Sequence, residues 1–290
     1  MAESAGLESR QAAIEADDEF EPPPPDPGLW PPLLDLAACL RFYSRLPVPA
    51  LPGEAGDPAP PDFRTVPRML PVAGLVIALP GVVALLGGLG LGLGPYLAAT
   101  LAALTATLVT GALHEDGLAD VADGFGGGAD AARRLAIMRD SRIGAYGASA
   151  LILAYALRIG AVATLADRIG WRAALVLPLA AALSRTAALW PMLALAPARP
   201  DGAARAVGCP TPRTHAIAWS LCLAVALVAW LLGLPWIGVV LAGLLAVLSA
   251  WTMSRMAERM IGGQTGDVIG ACQQIAEIAV LLAMLIAIPR

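Results

Sequence analysis

The chain has 290 residues, of which 58% are apolar and only 14% charged, with a mean hydropathy of +0.69. Soluble domains carry about 25% charged residues, so this composition excludes a soluble enzyme and predicts an all-α, polytopic integral membrane helix bundle. All 19 basic residues are arginine, which rules out a Walker-type phosphate loop and Schiff-base chemistry, since both require lysine.

Residues 1–28 hold eight acids against Arg10 and end in a proline run, Pro22 to Pro25. They resemble no signal or transit peptide and read as a disordered acidic tail ahead of one membrane-embedded catalytic domain, 29–290. Without that tail, the net charge of −4 becomes +3 for the remaining residues. Leu29 to Ser44 is too short to span and suits an interfacial or packing segment. A proline- and acid-rich loop, Leu51 to Asp62, follows.

Met69 to Leu113 contains no charge and is divided at Gly94-Pro95 into two stretches of span length. Further apolar stretches run over Ala148 to Leu165, Ala173 to Ala196, Ala216 to Leu232, Trp236 to Met253 and Ala271 to Ile288, for about seven transmembrane helices. With a cytoplasmic N terminus, fourteen arginines fall in cytoplasmic segments and three (Arg168, Arg172, Arg290) on the other side. That asymmetry predicts the orientation and a multi-pass membrane protein whose active face is cytoplasmic. The lipid bilayer is thus a partner; no nucleic acid is expected, and a homo-oligomer is left open. Cys39, Cys209, Cys222 and Cys272 form no C-x-x-C pair, which argues against zinc ribbons and iron–sulfur clusters.

Chemistry-bearing residues concentrate in a few segments. In His114-Glu115-Asp116-Gly117-Leu118-Ala119-Asp120-Val121-Ala122-Asp123, the aspartates stand at i, i+4 and i+7. If the second span continues as a helix, they line one face above the membrane. Like charges at that spacing repel; a hard divalent cation relieves the repulsion, and magnesium suits oxygen-only ligands that leave room for substrate phosphates. A zinc-protease motif needs a second histidine where Leu118 stands. His114 is therefore either a structural hydrogen bonder or a general base. Arg139 and Arg142, flanking Asp140, can fork onto a phosphoryl group or anchor the cytoplasmic face. Arg185 lies near the middle of an apolar span, where an arginine needs a partner; Arg158, nearer a span end, can reach the interface. In Gly262 to Glu277, Thr265 precedes a helix start near Asp267, and Asp267, Gln274 and Glu277 form a polar stripe entering the last span.

The segments Leu46-Pro47-Val48-Pro49, Leu70 to Gly74, Leu113 to Gly124, Ile137 to Gly147 and Gly262 to Glu277 resemble, in order, the hallmarks of the cobalamin synthase family, the adenosylcobinamide-GDP ribazoletransferases. The resemblance covers residue 36 to the C terminus. It implies a magnesium-dependent membrane transferase: a ribose hydroxyl of α-ribazole, or of its 5′-phosphate, attacks the cobinamide-linked phosphate of adenosylcobinamide-GDP and GMP leaves. On that reading Asp116, Asp120 and Asp123 hold magnesium, with Glu115 and Asp267 as further ligands or supports. Arg139, Arg142 and Arg185 meet the phosphates, Thr265, Gln274 and Glu277 join the substrate-binding set, and His114 or Asp140 activates the hydroxyl. Two rivals fit less well. CDP-alcohol phosphotransferases continue D-G-x-x-A-R, whereas Asp120 follows Asp116-Gly117-Leu118-Ala119 here; a cation transporter places its acids at the midplane.

Overall fold

A computed structural model describes residues 31–52, 61–199 and 208–289. The expected acidic tail, 1–28, lies outside the described residues, as does most of the proline-rich loop. The described chain is helical throughout: α1 (Pro31–Tyr43), α2 (Leu70–Gly90), α3 (Gly94–Thr110), α4 (Leu113–Gly127), α5 (Ala131–Ile137), α6 (Ala145–Ile169), α7 (Val176–Ala187), α8 (Trp190–Ala194), α9 (Pro212–Leu231), α10 (Trp236–Ile261) and α11 (Gly266–Ala287), with 3₁₀ turns at Val66–Met69 and Gly170–Leu175.

The packing is that of a membrane bundle. Alanines fill the interior, with Ala73, Ala98, Ala182, Ala246 and Ala276 fully buried, while Leu79, Val83, Leu108, Ile152, Leu223 and Leu244 are all more than half exposed. Lipid rewards no large apolar core, so close backbone approach through small residues holds the helices together and the large side chains face outward. Five helical stretches are long and apolar enough to cross a membrane, or six if α3 and α4 form one bent span. One of them, Ala145–Ala194, has 50 residues and runs over and back. Arg168 at the end of α6 donates to Leu285 O (3.0 Å) and Ile288 O (2.8 Å) at the end of α11. Beyond α8, Ala198 N donates to Gln264 O (2.8 Å) and Gln264 N to Ala196 O (2.9 Å), just ahead of the start of α11. Gly170, at φ 59°, ends α6 and makes the reversal.

The second span does not continue through the aspartates as expected. The chain bends by 90° between α3 and α4, with Gly111 (φ 65°) and Ala112 (φ 60°) both left-handed. Such a conformation costs a non-glycine residue about 1 kcal/mol or more and persists where surrounding structure enforces it. Here it turns the acids out of the span, because α3, at 17 residues, already reaches about 25 Å. The acids consequently begin a new helix: Glu115 and Asp116 sit in the first turn of α4, where the helix dipole favours them.

Candidate active site

Helix α4 lies across the first turns of α6 and α11 and divides its acids among three neighbours. The approach to α11 depends on Gly117, where a Cβ would come within 2.8 Å of Asp267 O. That contact sets Asp116 and Asp120 toward Asp267. Thr265 caps α11 by accepting from Val268 N (3.3 Å) and donates to Asp267 Oδ2 (3.3 Å), while Arg199 stands 3.7 Å from the same carboxylate. Burial, followed by the charges of Asp116, Asp267 and Asp123, pushes the Asp120 carboxyl up to about 7. Burial and the crowding of carboxylates outweigh the lowering effect of Arg199.

The remaining acids of the segment face elsewhere. Asp123 accepts from Gly144 N (Oδ2, 2.6 Å) and Gly147 N (Oδ1, 2.8 Å), so both of its oxygens cap the N terminus of α6. Glu115 turns into the bundle and pairs with Arg158 (2.9 Å), which also pairs with Glu277 (2.8 Å) and donates to Gln274 Oε1 (3.3 Å). Gln273 extends this network by donating to Glu277 (2.7 Å) and Ser184 Oγ (3.0 Å). Arg185 is buried close by, donating to Ala181 O (3.3 Å), and its Nε has no hydrogen-bond partner among the described residues. A cavity of about 60 Å³, walled by Ala99, Ala102 and Ala181 among others, adjoins Glu115, Arg158, Arg185 and Glu277.

His114 is buried and stacked on Tyr43, ring centroids 6.0 Å apart and planes within 4°. It shares a small hollow with Arg185 and Gln273, behind the face that carries Asp116. Asp140 and Arg142 form an exposed forked ion pair (2.6 to 3.2 Å) on the loop between α5 and α6; the guanidinium holds the Asp140 carboxyl down at about 2. Arg139 is exposed on the same loop.

The structure thus brings together Asp116, Asp120, Asp267 and Thr265 in one cluster, and Glu115, Arg158, Arg185, Gln274 and Glu277 in another beneath it. Asp140, Arg139 and Arg142 lie on the loop between α5 and α6. Sequence reasoning underweighted Arg158 and passed over Tyr43, Gln273 and Arg199. An arginine inside a span is itself the signal for a partner, and applying it to Arg158 as to Arg185 finds the network.

A magnesium ion fits the upper cluster by the chemistry of its donors, which are all carboxylate oxygens crowded enough to raise one of them. Among the described residues no three His, Cys, Asp or Glu side chains converge tightly enough to hold a metal alone. That suits an ion held by one or two carboxylates and completed by water and substrate phosphates.

Fold and site define a multi-pass membrane protein with its polar groups gathered at one end of the bundle, the layout of a membrane-embedded transferase acting on phosphorylated substrates. The chain belongs to the cobalamin-5-phosphate synthase family, whose pattern matches residues 35–285. It is 52% identical over 258 residues to the adenosylcobinamide-GDP ribazoletransferase of Azorhizobium caulinodans, covering 88% of this chain and 96% of that one. It is 50% identical over 254 residues to that of Xanthobacter autotrophicus (87% and 96%) and 44% identical over 260 residues to that of Sinorhizobium medicae (88% and 97%). No solved structure matches the chain.

Proposed function

We propose that the chain joins adenosylcobinamide-GDP to α-ribazole or its 5′-phosphate at the cytoplasmic face of a bacterial inner membrane, crossing it seven times from a cytoplasmic N terminus. The observation that carries the site assignment is the mutual facing of Asp116, Asp120 and Asp267 across the Gly117 contact. One or two of these carboxylates would hold magnesium, completed by water and substrate phosphates, and the ion would neutralise charge on the pyrophosphate. We take the ligand set as narrower than the sequence pattern suggests, because both oxygens of Asp123 accept from backbone N–H groups and Glu115 turns into the bundle, where its Oε1 pairs with Arg158.

In the reaction, the ribose hydroxyl oxygen bonds to the cobinamide-linked phosphorus. The bond from that phosphorus to the bridging oxygen breaks, and GMP leaves with the bonding pair. The hydroxyl proton passes to solvent at the open face, since Asp140 is a weak acceptor while paired to Arg142 and His114 is enclosed behind Tyr43. Phosphoryl transfer through a loose transition state depends chiefly on positioning and charge neutralisation. Arg199 beside Asp267 would supply positive charge to the phosphates, joined by Arg139 and Arg142 on the loop between α5 and α6. Arg185, Gln274 and Glu277 act from beneath, holding Glu115 and with it the start of α4.

Purified protein in detergent, given adenosylcobinamide-GDP, α-ribazole and magnesium, should release GMP and form the joined corrinoid. Asp120→Asn should lower turnover by at least about a hundredfold, the cost of losing one stabiliser of transition-state charge. A folded wild-type sample that releases no GMP overturns the reading.

A further inference from the structure

A recess of about 480 Å³ opens beside the carboxylate cluster, lined by Phe42, Ser44, Arg45, Thr110, Gly111, Ala112, Leu113 and Asp116. Its volume lies within the roughly 300–1,000 Å³ of small-molecule sites, and none of the mechanism above uses it. Asp116 stands at one side. Elsewhere on its wall is Arg45, whose backbone N donates to Val109 O (2.7 Å) and so fixes the chain against the end of α3. Its guanidinium lies directly against Gly111, where any Cβ would collide with it. Among the described residues this guanidinium has no hydrogen-bond or ion-pair partner. The recess therefore exists because of the left-handed bend at Gly111-Ala112, and it presents one uncommitted planar cation.

The rest of the wall is chemically quiet. Phe42 and Leu113 are 43% and 44% exposed, offering an aromatic ring and an apolar side chain. The two hydroxyls are already spent: Ser44 Oγ donates to Leu40 O (2.6 Å) and Thr110 Oγ1 to Ala106 O (3.0 Å). A guanine edge, with a carbonyl, a ring N–H and an amino group, would find charged partners there only in Arg45 and Asp116, and Asp116 is assigned above to the magnesium cluster. A benzimidazole, flat and nearly without hydrogen-bonding groups, suits that wall, and a guanidinium suits a phosphate.

We propose that this recess seats the acceptor nucleoside, with its apolar base against Phe42 and Leu113, its reacting hydroxyl toward Asp116, and its 5′-phosphate on Arg45. Arg45 then sets the preference for the phosphorylated over the unphosphorylated acceptor. The inference rests on the transferase reading above and deepens it.

The test measures kcat/KM for α-ribazole 5′-phosphate and for α-ribazole, at saturating adenosylcobinamide-GDP, in wild type, Arg45→Gln, Arg45→Lys and Phe42→Ala. Arg45→Gln should lower the ratio of the two values by about tenfold or more, the worth of a hydrogen bond to a charged group. Arg45→Lys should restore part of that ratio. Phe42→Ala should raise KM for both acceptors together and leave the ratio alone. An unchanged ratio in Arg45→Gln, or a defect confined to the KM for adenosylcobinamide-GDP, overturns the inference while the transferase reading stands. If wild type forms no product, the transferase reading fails instead. Equilibrium dialysis of α-ribazole 5′-phosphate then still decides the recess: weaker binding to Arg45→Gln than to wild type supports it, and equal binding overturns it.

Discussion

Asp120 shows how a single side chain registers the charge of its neighbours. Its carboxyl, raised to about 7 by burial and by Asp116 and Asp267, holds a proton in the folded, metal-free protein that an unfolded aspartate, titrating near pH 4, has already released. Between those two values the folded state binds more protons, so stability falls as pH rises through that window and is lowest above pH 7. Magnesium bound at the proposed site would compensate for the same charge. Thermal unfolding in detergent without metal should give a higher Tm at pH 5 than at pH 8, magnesium at pH 8 should recover the difference, and Asp120→Asn should flatten it. Equal Tm values at both pH values in metal-free wild type would remove the crowding argument. Arg158 works in the opposite sense, since its guanidinium answers both Glu115 and Glu277. Arg158→Leu leaves two buried carboxylates unpaired and should cost about 3–5 kcal/mol, the loss on breaking a buried pair. Adding Glu115→Gln and Glu277→Gln in the same chain should recover much of it, as read by thermal unfolding. The sequence placed Arg158 near a span end with water in reach; the lateral bend of α4, which brings Glu115 down to it, leaves no periodicity to read.

At the scale of an element, α4 explains why the acidic stripe was only partly legible. The i, i+4, i+7 spacing correctly puts three aspartates on a helix, but spacing does not say which neighbour each will meet. The crossing at Gly117 gives Asp116 and Asp120 to α11, and the start of α6 claims Asp123. The helix start at Thr265-Gly266-Asp267 was legible because a cap is a local device. The bend at Gly111-Ala112 was not, because an alanine in a left-handed conformation is a tertiary outcome. Two substitutions separate these contributions. Gly117→Val should drive α4 away from Asp267 and reduce kcat by about a hundredfold or more, the sensitivity expected for a misplacement near 1 Å. Asp123→Asn swaps one acceptor oxygen for a donor facing backbone N–H groups. Hydrogen exchange at the Gly144 and Gly147 amides should quicken, with α9 and α10 unaffected; unchanged exchange there would refute the capping role.

Across the whole molecule, polar groups and small residues are arranged by the same constraint. Lipid gives no reason to bury leucine, so the bundle buries alanine and exposes leucine; most of its charges lie at one end or in one enclosed network, with Asp167, Arg168 and Arg172 at the other end. That arrangement made the fold class readable from composition, whereas the site depended on which helices touch. The arginine asymmetry supports the proposed cytoplasmic placement of the polar end, and the over-and-back course of α6 to α8 agrees with a loop at each end. The chain's own cysteines allow a direct test: Cys39, Cys222 and Cys272 are buried and Cys209 is exposed. In intact cells a membrane-impermeant maleimide should leave wild type unlabelled, and in inside-out vesicles it should label Cys209. With Cys209 replaced by serine, Ser141→Cys on the α5–α6 loop should react only in inside-out vesicles. Leu91→Cys, at the 80% exposed turn between α2 and α3, should react only in intact cells. Reaction of Ser141→Cys from outside would invert the bundle and place the carboxylate cluster on the wrong side for a cytoplasmic guanine nucleotide product. Reaction of both sites from one side would instead require α3, the apolar helix between them, to enter and leave the membrane on the same face, which its 17 uncharged residues, about 25 Å of helix, do not allow without a break.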